Sequence, residues 1–166
     1  MKKIIVLLLV VVSMLPLNAQ TTEFTQDALQ DVFIDLNGNE IAFASILENH
    51  KGKPLFIDVW ASWCGDCIKG MPGVKQLMNE NKNIQFVFLS VDRAQDKWKA
   101  GIKKYDINNG DHYFIKSGWK GSAFCKAIDL DWIPRYMIVD EEGKIALFKA
   151  IVTNDKELIN TLNTIE

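Results

Sequence analysis

Phe56-Ile57-Asp58-Val59-Trp60-Ala61-Ser62-Trp63-Cys64-Gly65-Asp66-Cys67 is the stretch on which the reading of this chain turns. Its first half belongs to an apolar run, Pro54–Trp60, interrupted only by Asp58, and reads as a strand. Its second half opens a helix expected over about Gly65–Asn81. Two cysteines three apart at a helix start lie on one side of the first turn, so their sulfurs can close a small disulfide. The first sulfur sits near unpaired N–H groups and the positive end of the helix dipole, and both favour a thiolate. The thiolate is the attacking species in disulfide exchange, which makes Cys64 a candidate nucleophile and Cys67 its partner. Asp58 lies six residues before Cys64, inside a strand of the kind covered on both faces. Burial raises the pKa of an unpaired carboxyl group. Beneath a dithiol, such a group can take a proton from one thiol and return it. The plain alternative for Asp58 is an edge position facing water.

Other readings of the cysteine pair stay open at this point. Zinc wants four ligands, and only Cys125, His50 and His112 remain, scattered along the chain. A static disulfide would close too small a loop to constrain the unfolded chain much. A Cu(I)-handling site suits soft thiolates, but no Met or His clusters around the pair. A strand, then Cys-x-x-Cys, then a helix is the context of a redox motif.

Outward from this stretch the chain reads as one α/β domain. Asp31–Asp35 and Glu40–Phe43 form a hairpin around Leu36-Asn37-Gly38-Asn39, where Asn37-Gly38 suits a type I′ turn. Ser45–His50 reads as a short helix, Ile84–Val91 as a second apolar strand, and Arg93–Tyr105 as a helix with Ala94, Trp98, Ile102 and Tyr105 on one face. Residues 111–122 carry no clear pattern. Ala123–Ile128 reads as a short helix. Tyr136–Asp140 and Lys144–Ala150 form a second hairpin, and Asp155–Thr164 a closing helix capped by Asn154. This order predicts a central mixed sheet with helices on its faces. Pro72 falls inside the long helix and should kink it, and Ile133-Pro134 leads into an apolar strand. By composition alone that Pro bond is expected trans.

Composition excludes several function classes. The 166 residues are 48% hydrophobic and 24% charged, with 19 basic against 21 acidic side chains. Mean hydropathy is zero. This is the profile of an ordinary globular domain, large enough for one core and too short for two sizeable ones. Without residues 1–19, 17 basic residues face 21 acidic ones. A mildly acidic body argues against nucleic acid and against an anionic membrane surface. Residues 1–19 themselves read as an export address. Met1-Lys2-Lys3 is a basic start, Ile4–Val12 an apolar run too short to span a bilayer, and Ala19 a cleavage position with Leu17 at −3. The expected organisation is therefore a signal peptide (1–19), a polar lead-in (20–30) and the folded domain (31–166). The mature chain would be exported to a disulfide-permissive compartment without membrane insertion.

The segment Phe56–Cys67 closely resembles the active-site segment of thioredoxin-fold proteins, with Asp58, Trp60, Trp63, Cys64, Cys67 and Pro72 at that family's spacing. Ile133-Pro134 resembles the family's cis-proline, which packs against the disulfide while the preceding backbone binds substrate. The resemblance thus implies a cis bond here. The Asp35–Gly38 turn with Gly52-Lys53-Pro54 resembles the exported branch, the TlpA/ResA-like thiol–disulfide oxidoreductases of bacterial envelopes. The similarity runs over residues 31–166. It implies a thioredoxin-like fold with an N-terminal hairpin extension. It also implies protein disulfide substrates, an upstream redox partner, no small cofactor and no metal. Cys64 and Cys67 would be the redox pair, Asp58 the acid–base group, and Trp63, Ile133 and Pro134 the substrate contacts. Three positions depart from the pattern: Asp66 stands where many relatives carry Pro, Gly70 where many envelope relatives carry Glu, and Phe88 where cytosolic thioredoxins carry Lys. The alternatives within this scaffold are Cu(I) delivery or a non-catalytic binding module. Cys125, the odd thiol, reads as a buried small hydrophobe. His50 and His112 read as surface residues.

Overall fold

A computed structural model describes residues 22–165. The export address at 1–19 lies outside the described residues. Seven strands form one mixed sheet: β1 (Val32–Ile34), β2 (Glu40–Ala42), β3 (Leu55–Trp60), β4 (Gln85–Ser90), β5 (Asp111–Ile115), β6 (Arg135–Val139) and β7 (Ile145–Ala150). Their order is β2-β1-β5-β4-β3-β6-β7. β3 is an interior strand, parallel to β4 and antiparallel to β6, and all six of its residues are buried. A strand flanked and covered in this way has no polar edge, which is why its residues read as an unbroken apolar run apart from Asp58. The architecture is the expected thioredoxin-like α/β fold with an added N-terminal hairpin, since β1 and β2 pair antiparallel and β1 joins β5.

Helix α3 (Gly65–Glu80) connects β3 to β4, and α4 (Gln95–Lys104) connects β4 to β5. Both crossovers advance in the same direction along the sheet, so right-handed connection places both helices on one face. Cys67, Met71, Val74 and Leu77 form the buried stripe of α3, at helical spacing. Two glycines let this face approach closely. A Cβ on Gly70 would sit 2.6 Å from the Tyr136 hydroxyl, and one on Gly73 would collide with Thr153. Glycine inside a helix costs about 1 kcal/mol relative to alanine. Pro72 lies between them, and α3 continues through it.

Several local readings are corrected by the structure. The first hairpin does not use a type I′ turn. Only Gly38 has positive φ (+92°), and Asn37 does not. The turn is organised instead by Asp35, whose carboxylate accepts from the Asn39 backbone N–H (2.8 Å) and side-chain amide (2.9 Å). The polar lead-in of 20–30 holds a helical turn, α1 (Gln26–Leu29), capped by Thr25. Phe24 and Ala28 are buried, and the Phe24 ring lies 4.8 Å from that of Phe43. Asp31 ties the same segment across the molecule by accepting from the Ser122 hydroxyl and, at 3.0 Å, from the Phe124 N–H. The unpatterned stretch 111–122 contains β5 and a short turn of helix, α5 (Gly118–Gly121). α2 (Phe43–Asn49) and α6 (Ala123–Ala127) fall close to the expected short helices. α7 (Lys156–Thr164) is capped by Asp155, not Asn154, through the N–H groups of Glu157 and Leu158.

Both histidines leave the surface roles expected of them. His112 is buried, its ring stacks on Phe88 at 4.7 Å, and its Nε2 lies 2.7 Å from the Ile107 carbonyl oxygen. Burial pushes its pKa down to about 4. His50 is largely covered and lies 3.1 Å from Asp111.

Candidate active site

Cys64 caps the N-terminus of α3, with extended backbone, and its sulfur accepts from the Cys67 N–H at 3.1 Å. That sulfur therefore occupies the mouth of the helix, where the free N–H groups stabilise negative charge. The two cysteines are joined as a disulfide, with Cα atoms 5.3 Å apart. Both cysteines are buried, Cys64 at 6% exposure and Cys67 at 1%, and of the two Cys64 borders the groove described below. The approach to Cys64 is held by β4. Asp92, just beyond it, accepts from the Ser62 N–H (3.0 Å), the Ser62 hydroxyl (2.7 Å) and the Ser90 hydroxyl (2.9 Å). Tyr105 adds a hydrogen bond to the Ser62 carbonyl.

The Ile133–Pro134 bond is cis, and the Ile133 carbonyl oxygen lies 3.5 Å from Cys64 Sγ. The loop that delivers it is organised by Arg135, a wholly buried cation. Its guanidinium donates to the carbonyls of Ile128 (2.6 Å) and Asp129 (3.2 Å) and to the Asp131 carboxylate (2.5 Å). Lys149 closes on the same carboxylate at 2.6 Å, and that hydrogen bond is the main reason the Asp131 pKa falls to about 2. Trp63, Trp119, Trp132 and Ile133 line an apolar groove around Cys64, with Asp66 and Asp131 on its rim. Trp63 and Trp132 are more than half exposed, and Trp119 is anchored through its indole N–H to the Leu130 carbonyl.

Asp58 sits in β3 between Phe88 of β4 and Tyr136 of β6. It is 1% exposed, and neither carboxyl oxygen has a hydrogen-bond partner. Burial alone pushes its pKa up to about 8. The solvent-facing alternative is thus set aside. Tyr136, directly opposite Asp58, reaches Gly70 on α3, so Asp58 and the buried stripe that begins at Cys67 share one side of the sheet.

The Redoxin family pattern matches residues 18–163. The chain belongs to the Redoxin family. It is 28% identical over 125 residues to the thiol-disulfide oxidoreductase ResA of Bacillus thuringiensis subsp. konkukian, covering 74% of this chain and 67% of that protein. Among solved structures it resembles the thioredoxin domain of a thiol-disulfide oxidoreductase from Bacteroides vulgatus (TM-score 0.66, 25% identity, 81% of this chain and 92% of that one). It also resembles a thiol:disulfide interchange protein from a Bacteroides species (TM-score 0.68, 26% identity, 87% and 89%). This Redoxin protein is a TlpA/ResA-like thiol–disulfide oxidoreductase of thioredoxin fold.

The structure brings together Cys64, Cys67, Trp63, Ile133 and Pro134, and buries Asp58 on the side of the sheet that α3 covers. Cys125 is buried elsewhere, its thiol pushed up to about 11 by burial. Arg135, Asp92 and Tyr136 border the site and were not singled out from sequence. An arginine inside an otherwise apolar strand, right after Pro134, was the available signal. Among the described residues no group of three or more His, Cys, Asp or Glu side chains is placed to hold a metal ion.

Proposed function

We propose that this protein is an exported reductant of protein disulfides in the bacterial cell envelope. The observation that carries this reading is a disulfide pair at the N-terminus of α3, with Cys64 bordering the apolar groove and Cys67 covered, together with the unpartnered buried carboxyl group of Asp58 on the strand that leads into it. In the reduced protein, Cys64 thiolate attacks one sulfur of a substrate disulfide. That S–S bond breaks, one substrate thiolate leaves and takes a proton, and a mixed disulfide to Cys64 forms. Asp58 carboxylate removes the Cys67 proton, directly or through water. Cys67 thiolate then attacks Cys64 Sγ, the second substrate thiolate leaves, and the enzyme is left as the disulfide seen here. A redox partner protein must return two electrons before the next cycle.

Trp63, Ile133 and Pro134 would hold the substrate chain, the Ile133 backbone lying beside the attacking sulfur and Trp63 offering an apolar platform. Asp66, in the first turn of α3 between the cysteines, opposes negative charge on Cys64. A less stable thiolate leaves less readily, which favours the reducing direction. Export is supported by the basic start and apolar run of residues 1–19. Among the described residues no helix is long and apolar enough to cross a membrane.

The test is turnover of an insulin-type disulfide together with trapping. Cys64→Ser abolishes turnover, and Cys67→Ser accumulates a mixed disulfide at Cys64. A titration in glutathione buffers gives a midpoint on the reducing side of the glutathione couple. Turnover that survives Cys64→Ser overturns the reading. Stoichiometric Cu(I) binding with negligible exchange would instead establish the metal-delivery alternative.

A further inference from the structure

We propose that Arg135 is a positioning residue for substrate binding. It grips the loop between α6 and β6, residues 128–134, so that Trp132 and Ile133 stand ready at the Cys64 groove. This inference rests on the reading of that groove as the place where a substrate polypeptide meets Cys64.

Arg135 opens β6 opposite Val59 of β3 and is wholly buried. An unpaired cation in such a place is costly, and a paired one adds little to stability over an apolar side chain of similar volume. The stability of the core therefore does not call for an arginine here. Its hydrogen bonds, among the described residues, all go to the loop. Nη1 donates to the Ile128 carbonyl (2.6 Å), and Nη2 to the Asp129 carbonyl (3.2 Å) and the Asp131 carboxylate (2.5 Å). Nε meets no acceptor. Asp129 is held at φ +46°, in the left-handed region that a residue other than glycine keeps where its surroundings fix it.

The grip reaches the groove directly. Trp119 donates its indole N–H to the Leu130 carbonyl at 2.9 Å. The carbonyls of residues 128, 129 and 130 are thus taken in turn by Arg135 and Trp119, and Trp119 itself lines the groove. Asp131 lines it too, with Arg135 on one carboxylate oxygen and Lys149 on the other. Two residues further on, the Ile133 carbonyl oxygen stands 3.5 Å from Cys64 Sγ, and Trp132 between them is more than half exposed. Were these carbonyls free, the loop would sample several shapes, and Trp132 and Ile133 would be ordered only as a substrate chain binds. Ordering of that kind weakens affinity. Arg135 fixes the loop in advance. It does not itself line the groove, so it acts on binding through the loop rather than on the sulfur chemistry.

The experiment measures kcat and KM separately for reduction of an insulin-type disulfide, with circular dichroism confirming the fold of each variant. Arg135→Lys keeps the charge but replaces the planar fork with a single ammonium, which cannot serve two carbonyls and a carboxylate in the same geometry. It should raise KM about tenfold and leave kcat within about twofold. Partial misfolding would lower kcat and leave KM alone, so the split tells positioning from loss of structure. Asp131→Asn, on an exposed side chain, should raise KM about threefold. The double variant should be no worse than Arg135→Lys, because both changes release the same loop. An unmoved KM in Arg135→Lys, or KM losses that multiply in the double variant, overturns the proposal. Should Arg135→Lys fail to fold, an unmoved KM in Asp131→Asn overturns it as well. Reduction of 2-hydroxyethyl disulfide, which brings no chain to lie along the groove, separates the two levels. If the native protein reduces both disulfides and the variants do not shift KM for the insulin-type one, this inference alone falls. If the native protein reduces the small disulfide and not the insulin-type one, the reading of a protein-disulfide reductant falls with it.

Discussion

Replacing Asp58 with asparagine is expected to stabilise the oxidised protein, and by more as pH rises. Burial holds the folded carboxyl at about 8, against 3.8 for an ordinary aspartate. Between those values the unfolded chain ionises and the native chain stays protonated, so raising pH drives unfolding. The native state is unaffected by this group below about pH 4, loses stability as pH rises through the window, and levels off above about 8. At pH 7 the unfolded chain is about three pH units past its midpoint, which at 1.36 kcal/mol per unit is about 4 kcal/mol. Near pH 4.5 the same reasoning leaves about 1 kcal/mol. The assay is urea unfolding of the disulfide form of both proteins at several pH values from 4.5 to 8. The disulfide form is the right one because neither active-site thiol can titrate in it. Asparagine keeps the shape of the side chain, so contributions from all other groups cancel in the difference. Curves for the two proteins that run parallel across this window would refute the reasoning.

His112 should act with the opposite sign. It is held neutral in the fold, so stability falls as pH drops from 6.5 toward 4, by about 3 kcal/mol in full, and His112→Gln should flatten that limb in urea unfolding at pH 5 and 7. Cys125, its thiol pushed up to about 11, should resist Ellman's reagent at pH 8 in a Cys64→Ser, Cys67→Ser background and react as one thiol only on unfolding; rapid native reaction would contradict its burial. Asp31→Ala removes the acceptor for Phe124 N–H and for the Ser122 hydroxyl and should cost about 1–3 kcal/mol in chemical denaturation. An unchanged unfolding midpoint would mean that these bonds do not couple the lead-in to α6.

Residues that advertise local physics were legible in the sequence, and residues whose roles depend on distant partners were not. The β3 run, the cysteine pair at a helix start and the hairpins are local patterns, and each formed where expected. Asp58 was legible because a lone acid in a strand covered on both faces has nowhere to meet water. β5 was missed because its His112 and Tyr113 break any alternation, and His112 becomes tolerable inside only through the Ile107 carbonyl and the Phe88 ring. Residues 20–30 read as polar because, among the described residues 22–30, only Phe24 and Ala28 are buried, and Asp31 finds its partners about 90 residues away. Turn chemistry failed at Asn37 for a related reason: the Asp35 carboxylate, not the residue pair at the tip, organises the turn. At the site, Trp119 and Trp132 border the Cys64 groove, and nothing local in the sequence tells a groove-lining tryptophan from a packing one. Arg135 escaped notice because two of its three acceptors are main-chain carbonyls, which no side-chain pattern announces, and the Asp131 carboxylate is the third.

The clamp of Asp92 on Ser62 bears on how other molecules meet this one. The doorstep of the reactive sulfur is bolted to the end of a neighbouring strand rather than to the helix that carries the sulfur. No atom of either cysteine takes part in that bolt, so opening the disulfide breaks none of its hydrogen bonds. On the proposed function, a visitor bringing electrons and a visitor collecting them would cross the same threshold and be told apart by what they carry.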